Sequence, residues 1–175
     1  FGSGQSRSFR TLWALEEAGL GYEYKKVDIG KPTENGTQNE TYRALNTQGK
    51  VPSLIHDKLI INESAAIINY IAALAPDSNL MPLVDIEQRA YYDEICFFVM
   101  TELEQPLWTL TKHRFILPKQ IRQTKISETV HWEFTKALNT LEHYIQNSEF
   151  VINDHFTMAD ILIAHTLHWA NASKF

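Results

Sequence analysis

The fold is decided by GKVPSLIHDKLIINESAA, residues 49–66. Within it, residues 51–55 and 58–61 are two short β-prone runs separated only by His56 and Asp57. Two such runs with a two-residue connection predict an antiparallel hairpin. The first half of the chain is therefore expected to contain an antiparallel strand pair.

Helices are predicted on both sides of this hairpin. Residues 65–74 form an amphipathic run directly after it, and Ser64 is the expected N-cap because its hydroxyl can accept a free amide of the first turn. Apolar side chains also recur at helical spacing over residues 9–19, ending at a glycine. This half of the chain is thus of the α/β class.

Three further elements are predicted between the first helix and the hairpin. Residues 22–29 alternate apolar and polar side chains, which indicates a strand with one buried face. Residues 31–40 are rich in Pro, Gly, Asn and Thr and are typical of a surface loop. A short helix is expected at residues 41–46.

A domain boundary is predicted at residues 76–84, a polar connector that contains prolines. Strand signals nearly vanish beyond it. We therefore expect an α/β domain at residues 1–75 and an all-helical domain at residues 85–175.

The second domain is predicted to contain at least three helices. The first covers residues 85–104, and Pro106 is expected to end or kink it. The others cover residues 121–146 and 158–170.

Two pairs of polar residues in this domain are predicted to have no catalytic role. Thr157 and Asp160 have the spacing of a capping box and are assigned to folding. His165 and His168 are separated by three residues but lack an evident third ligand, so we predict no metal site.

Composition narrows the class of protein. The chain has 175 residues, 44% of them hydrophobic, and a net charge of −5, so nothing favours nucleic acid or an anionic membrane as a partner. No run is apolar for long enough to span a bilayer and no secretory leader is evident, so a cytoplasmic location is expected. The single cysteine, Cys96, lies in an apolar run and is expected to be a small buried residue.

Ser6 lies where a loop becomes the first helix. A hydroxyl beside a helix N-terminus can stabilise an anion, because the free amides and the helix dipole favour negative charge there. Ser3 and Ser8 lie in the same region, and each of the three serines can instead accept an amide hydrogen bond. The residues alone leave both roles open.

The order of these motifs resembles the glutathione transferase family. The residues that carry the resemblance are Ser6, Arg10, GKVPSL at 49–54, NESAAI at 62–67 and FTMADI at 156–161. It covers essentially the whole chain and is closest in style to serine-type bacterial members of theta or phi character. It implies a thioredoxin-like N-terminal domain lacking most of its first strand, and an all-α C-terminal domain truncated at its end.

The resemblance implies that glutathione is the co-substrate. Lys50 would contact its carboxylates, and the Val51 backbone would pair with its cysteinyl part beside Pro52, the counterpart of the family's cis-proline. Glu63 and Ser64, at a helix N-terminus, would bind the γ-glutamyl group. From the residues alone, Lys50 is equally compatible with a solvated turn, and Glu63 with Ser64 fits an acidic first turn with an ordinary cap.

The spacing of Ser6 from Arg10 and Leu12 singles it out from Ser8 within this resemblance. The family's serine precedes an arginine by four residues and an apolar residue by six. It donates a hydrogen bond to the glutathione sulfur and so favours the thiolate over the thiol. Arg10 would then support the local electrostatics or be an exposed helical arginine.

The implied function is conjugation of glutathione to small electrophiles, a detoxification activity, by a cytoplasmic homodimer without a metal. Two alternatives stay open. One is glutathione-dependent peroxidase or thiol–disulfide activity, although Ser6 in place of a cysteine argues against disulfide exchange. The other is a non-catalytic ligand-binding or interaction protein on the same fold.

Overall fold

The computed structural model describes residues 1–152 and 155–175. The chain divides into two units, Phe1–Leu83 and Val84–Phe175, and the division falls within the connector predicted at residues 76–84. The strand pair and the first three α-helices lie in the first unit, and the other described α-helices lie in the second. This distribution agrees with the predicted α/β and all-α halves.

The predicted hairpin is present, with its turn one residue later than expected. Strand β1 (Ser53–His56) pairs antiparallel with β2 (Leu59–Asn62), and Ser53 lies opposite Asn62. The turn is formed by Asp57 and Lys58 rather than His56 and Asp57. Asp57 has a φ of 54°, in the left-handed region that aspartate tolerates better than most residues.

Helices α1 (Ser8–Glu17) and α3 (Ser64–Leu74) pack against each other. Their contact forms the apolar core of the first unit together with other buried side chains. The fully or nearly fully buried members from the two helices are Ala14, Leu15, Ile67, Ile68, Ile71 and Ala72. The short helix α2 (Glu40–Leu45) begins after Asn39, whose side chain accepts a hydrogen bond from Tyr42 N at 2.7 Å.

The prediction of a strand at residues 22–29 is wrong, because the structure has no strand there. Lys26 and Asp28 make only single bridges, to Gly2 and Gly36, and Val27 is the one buried residue of the run. The pairing stays local because Gly2 alone bonds to both sides of this bridge: its amide donates to Lys25 O and its carbonyl accepts from Val27 N. An alternating pattern without a neighbouring ladder of bonds does not make a strand.

Phe1 connects this segment to the hairpin. The Phe1 amino group donates to Ser53 O at 2.9 Å, and Ser53 N donates to Phe1 O at 3.2 Å. The first two residues therefore lie between residues 25–27 and β1. This placement joins the beginning of the chain to the centre of the first unit.

The second unit is built from a long helical path and two further helices. Its elements are α4 (Ile86–Phe98), a π-helical segment (Val99–Leu103), α5 (Glu104–Thr111), a second π-helical segment (Lys112–Ile116), α6 (Ile126–Ile145) and α7 (Met158–Ala172). Helix α5 packs on α6 and α7, and α4 packs on α7. None of the helices in the described residues combines the length and apolar character needed to cross a bilayer.

Of the two outcomes expected for Pro106, an end or a kink of the long helix, the first is wrong. Pro106 lies inside α5, and the widened Val99–Leu103 segment comes immediately before this helix. A proline inside a helix removes one amide donor and crowds the preceding turn, and a local π turn is one way in which a helix accommodates such a disturbance. Helix α6 also starts later than predicted, because Lys119–Ile121 form a short 3-10 turn instead.

The capping box predicted at the start of α7 is present. Thr157 N donates to Asp160 Oδ2 at 2.8 Å, and the Thr157 hydroxyl donates to the same oxygen at 2.9 Å. The other carboxylate oxygen, Oδ1, accepts from Val151 N at 3.0 Å. Asp160 therefore holds the preceding loop as well as the helix terminus.

Replacing Asp160 with alanine should lower the free energy of unfolding by about 2 kcal/mol, since the change removes a cap and leaves the amide of the buried Val151 without its acceptor. Chemical denaturation measures this. Asp93→Ala is the matched control, because Asp93 forms a half-exposed i,i+4 pair with Arg89 and should change stability by less than about 1 kcal/mol. Equal effects of the two substitutions would contradict the assigned role.

Candidate functional site

Ser6 lies just before α1 and is half-buried. Its Oγ is 2.6 Å from Ser3 O and 3.0 Å from Ser8 Oγ, and it accepts a hydrogen bond from Ser8 N at 3.2 Å. Ser8 Oγ in turn accepts from Ser3 N at 3.1 Å. The three serines thus form a small hydrogen-bonded cluster at the start of the helix.

The single hydroxyl proton of Ser6 is already used in this cluster. The Ser3 carbonyl is the nearer acceptor and carries no proton of its own, so we place the Ser6 proton on that bond. Ser6 also accepts an amide, the role open to any serine in this position. The hydroxyl is therefore held in place, and it must rotate away from Ser3 O before it can donate elsewhere.

Arg10 is fully buried, so the expectation of an exposed helical arginine is wrong. Its NH1 donates to Ser64 Oγ at 3.2 Å, and Ser64 is itself buried. This bond connects α1 to the first residue of α3. The buried guanidinium places a positive charge next to the N-terminus of α3. That charge favours binding of an anion there.

Glu63 and Ser64 take different places from those that the sequence predicted. Glu63 is the N-cap of α3 and Ser64 is its first helical residue, so the predicted cap at Ser64 is wrong. The exposed Glu63 has a φ of 70°, unusual for a residue other than glycine. Such strain costs about 1–3 kcal/mol and is found at ligand-binding positions.

The Val51–Pro52 peptide bond is cis, the form that the resemblance implies. Val51 is half-buried, and within the described chain neither its backbone N–H nor its C=O has a hydrogen-bond partner. Lys50 carries an exposed side chain on the same loop. The backbone of Val51, which lies two residues before β1, is therefore an open edge available to an extended peptide.

A buried polar cluster beneath this edge was not predicted from the sequence. Its members are Tyr42, Asn46, Ser53 and Asn62, and each makes at least two hydrogen bonds within the unit. The sequence identifies Tyr42 and Asn46 only as residues of the short helix predicted at 41–46, although Asn46 lies just after α2 in the structure. Their contacts depend on how α2 packs over β1, which no local pattern encodes.

Direct contacts join the segments that carry the candidate residues. The Phe1–Ser53 pair links the segment before Ser6 to β1, and the Arg10–Ser64 bond links α1 to α3. Gln48 Nε2 also lies 3.5 Å from Glu63 Oε1. The first unit therefore presents a hydroxyl, an open strand edge and a helix N-terminus on connected elements, a combination that suits an extended anionic peptide with a thiol.

Cys96 is buried in α4, as expected, and burial raises the pKa of its thiol to about 12. It is therefore a protonated, inert group at neutral pH. Residues 1–152 and 155–175 contain no cluster of three His, Cys, Asp or Glu side chains that could hold a metal ion, and His165 and His168 lie on α7 without such a cluster.

Comparisons with known proteins identify relatives of this chain. Residues 2–73 match the family model of the glutathione S-transferase N-terminal domain. Glutathione S-transferase 1 of Dianthus caryophyllus is 31% identical over 91% of this chain and 70% of its own length. The maleylacetoacetate isomerase of Rattus norvegicus is 30% identical over 97% of this chain and 75% of its own.

A solved structure has a similar fold. The ternary complex of BphK, described as a bacterial glutathione S-transferase, superposes with a TM-score of 0.85 at 22% identity, over 99% of this chain and 83% of that one. At this identity the similarity concerns the fold alone. It agrees with a thioredoxin-like first unit and an all-helical second unit.

Iodoacetamide should fail to label native Cys96 at pH 8, because both burial and the raised pKa suppress the thiolate. Labelling in guanidinium should be at least about a thousandfold faster, as followed by mass spectrometry. The unfolded thiol loses its proton at a lower pH than the folded one, so stability should fall as the pH rises from about 9 towards 12. Rapid labelling of the folded protein would contradict the assigned burial.

Proposed function

The chain belongs to the glutathione transferase family, and we propose that it conjugates the thiolate of glutathione to small electrophiles. The open Val51 backbone beside Pro52 is the observation that carries this proposal. It offers one donor and one acceptor to an extended peptide, next to side chains that suit the peptide's charged ends. A transferase of this family uses glutathione as its co-substrate.

The γ-glutamyl end would be held at the start of α3. The first amides of a helix have no partner within it, so those at Ser64 and its successors suit the carboxylate of that end. The Ser64 side chain is buried and turned towards Arg10, from which its Oγ accepts, so Ser64 contributes through its backbone. Glu63 complements the ammonium group, and Lys50 the glycyl carboxylate.

Ser6 would act on the sulfur. In this mechanism the Ser6 hydroxyl rotates from Ser3 O to the glutathione sulfur and stabilises its thiolate, while the thiol proton goes to solvent. The thiolate then forms a C–S bond with the electrophilic carbon. With an aryl halide, the carbon–halogen bond breaks and halide leaves with the electron pair. Ser6 forms no covalent intermediate.

The relatives favour a second candidate reaction at the same site. The similarity to maleylacetoacetate isomerase suggests glutathione-dependent isomerisation of a cis double bond. In that case the same thiolate adds to the double bond, rotation follows, and elimination restores glutathione. The homodimeric state and the cytoplasmic location remain predictions from the family.

Ser6→Ala should lower kcat/KM for an aryl halide about tenfold at pH 7, because the thiolate loses a donor. The deficit should shrink as the pH rises, since alkali supplies the thiolate that Ser6 no longer favours. Ser78→Ala is the matched control, because its hydroxyl bonds only to Ala75 O in the connector. Rates measured from pH 6 to 9 with saturating glutathione provide the comparison.

A panel of substrates separates the alternatives. Aryl halides report conjugation, maleylacetoacetate reports isomerisation, and peroxides and mixed disulfides report the remaining glutathione chemistries. A Ser6→Ala profile identical to the control would remove Ser6 from the mechanism. Failure of the wild-type protein to bind immobilised glutathione would remove the proposed function altogether.

A further inference from the structure

Tyr42 has a buried hydroxyl that no part of the proposed glutathione contacts uses. The residue is 3% exposed, and its Oη lies 2.6 Å from Lys50 O. Asn46 Nδ2 donates to the same carbonyl at 3.0 Å. A carbonyl oxygen has two lone pairs, so this one is fully satisfied from beneath the loop.

The proton of Tyr42 can be assigned by counting donors in the cluster. Ser53 donates its hydroxyl proton to Asn62 Oδ1 at 2.7 Å, so it has none left for Tyr42. Lys50 O lies closer to Tyr42 Oη than Ser53 Oγ does, at 2.6 Å against 3.1 Å. The Tyr42 hydroxyl therefore donates to Lys50 O. Burial raises the pKa of Tyr42, which keeps this proton in place at neutral pH.

The Lys50 carbonyl determines where the Val51 amide points. The two groups belong to one peptide unit, which is planar, and only the next bond, Val51–Pro52, is cis. In a trans unit the C=O and the N–H point in opposite directions. A carbonyl held inward by Tyr42 and Asn46 therefore directs the Val51 N–H outward, to the open edge.

We propose that Tyr42 is a positioning residue for glutathione: its hydroxyl fixes the Lys50–Val51 peptide plane so that the Val51 N–H is presented to the cysteinyl carbonyl. This inference rests on the proposed function. The ring of Tyr42 packs edge-on against Phe1, with centroids 6.0 Å apart, so its place does not depend on the hydroxyl alone. Removing the hydroxyl therefore removes the constraint and keeps the packing.

Tyr42→Phe tests this assignment by steady-state kinetics. We expect the KM and the dissociation constant for glutathione to rise about fivefold, the value of one neutral hydrogen bond. The kcat at saturating glutathione should stay within about twofold, with an unchanged pH profile, because the Ser6 cluster is untouched. A merely structural role would lower the active fraction and hence kcat, and leave KM unchanged.

Tyr70→Phe is the matched control. It removes a tyrosine hydroxyl from the same unit, one that bonds His56 Nδ1 at 2.7 Å near the far end of β1, and it should leave the KM unchanged. Equal KM values for wild type and Tyr42→Phe, or equal increases in both variants, would overturn the proposal.

A second measurement needs no glutathione. The ¹⁵N order parameter of the Val51 amide should fall in Tyr42→Phe and stay at the wild-type value in Tyr70→Phe. If wild-type protein fails to bind glutathione, the proposed function is wrong, and Tyr42 cannot be a positioning residue for that ligand. The order parameter still decides whether Tyr42 fixes the peptide, and an unchanged value would overturn that part.

Discussion

Ser53 is the residue on which the first unit depends. Its backbone exchanges two hydrogen bonds with Phe1, its hydroxyl donates to Asn62 and accepts from Asn46, and its Oγ lies 3.1 Å from Tyr42 Oη. Leaving a buried hydroxyl unpaired costs about 1–3 kcal/mol, so these partners are constrained together. Because Ser53 follows Pro52 directly, the same contacts fix the loop whose backbone is open to the ligand.

The second constraint is the buried charge of Arg10. Moving a guanidinium out of water is costly unless polar groups replace its hydration, and the Ser64 hydroxyl is one such group. This explains why Ser64 does not cap its own helix: its side chain is turned inward towards α1. The cap position then falls to Glu63, in a conformation that leaves its side chain exposed.

How far the sequence predicts this structure follows from the range of each interaction. The hairpin, the α1 and α3 helices and the capping box of Thr157 and Asp160 depend on residues within a few positions of each other, and these were predicted correctly. The segment at residues 22–29 was not, because a strand requires a distant partner. The sequence likewise does not predict the burial of Arg10 or the polar contacts of Tyr42, because their partners lie 54 and 8–11 residues away along the chain. Hydrophobic patterning carries no signal for such polar pairs.

In the proposed mechanism the Ser6 hydroxyl exchanges one acceptor, Ser3 O, for another, the glutathione thiolate, and the difference in strength between the two hydrogen bonds limits what Ser6 can contribute. A neutral hydrogen bond such as that to Ser3 O contributes about 0.5–1.5 kcal/mol, and one to a charged acceptor about 1.5–3 kcal/mol. The exchange therefore favours the thiolate by about 1–1.5 kcal/mol. For a thiol that titrates near about 8.5, this raises the thiolate fraction at pH 7 from about 3% to about 15–30%. Any further activation must come from the dipole of α1, since a helix N-terminus adds about 0.3–1 kcal/mol for an anion. The amides of Ser8 and Phe9 already donate to Ser6 and are not free to bind the sulfur. The serine and the helix are thus comparable contributors, which is why the position of Ser6 immediately before α1 matters as much as its hydroxyl.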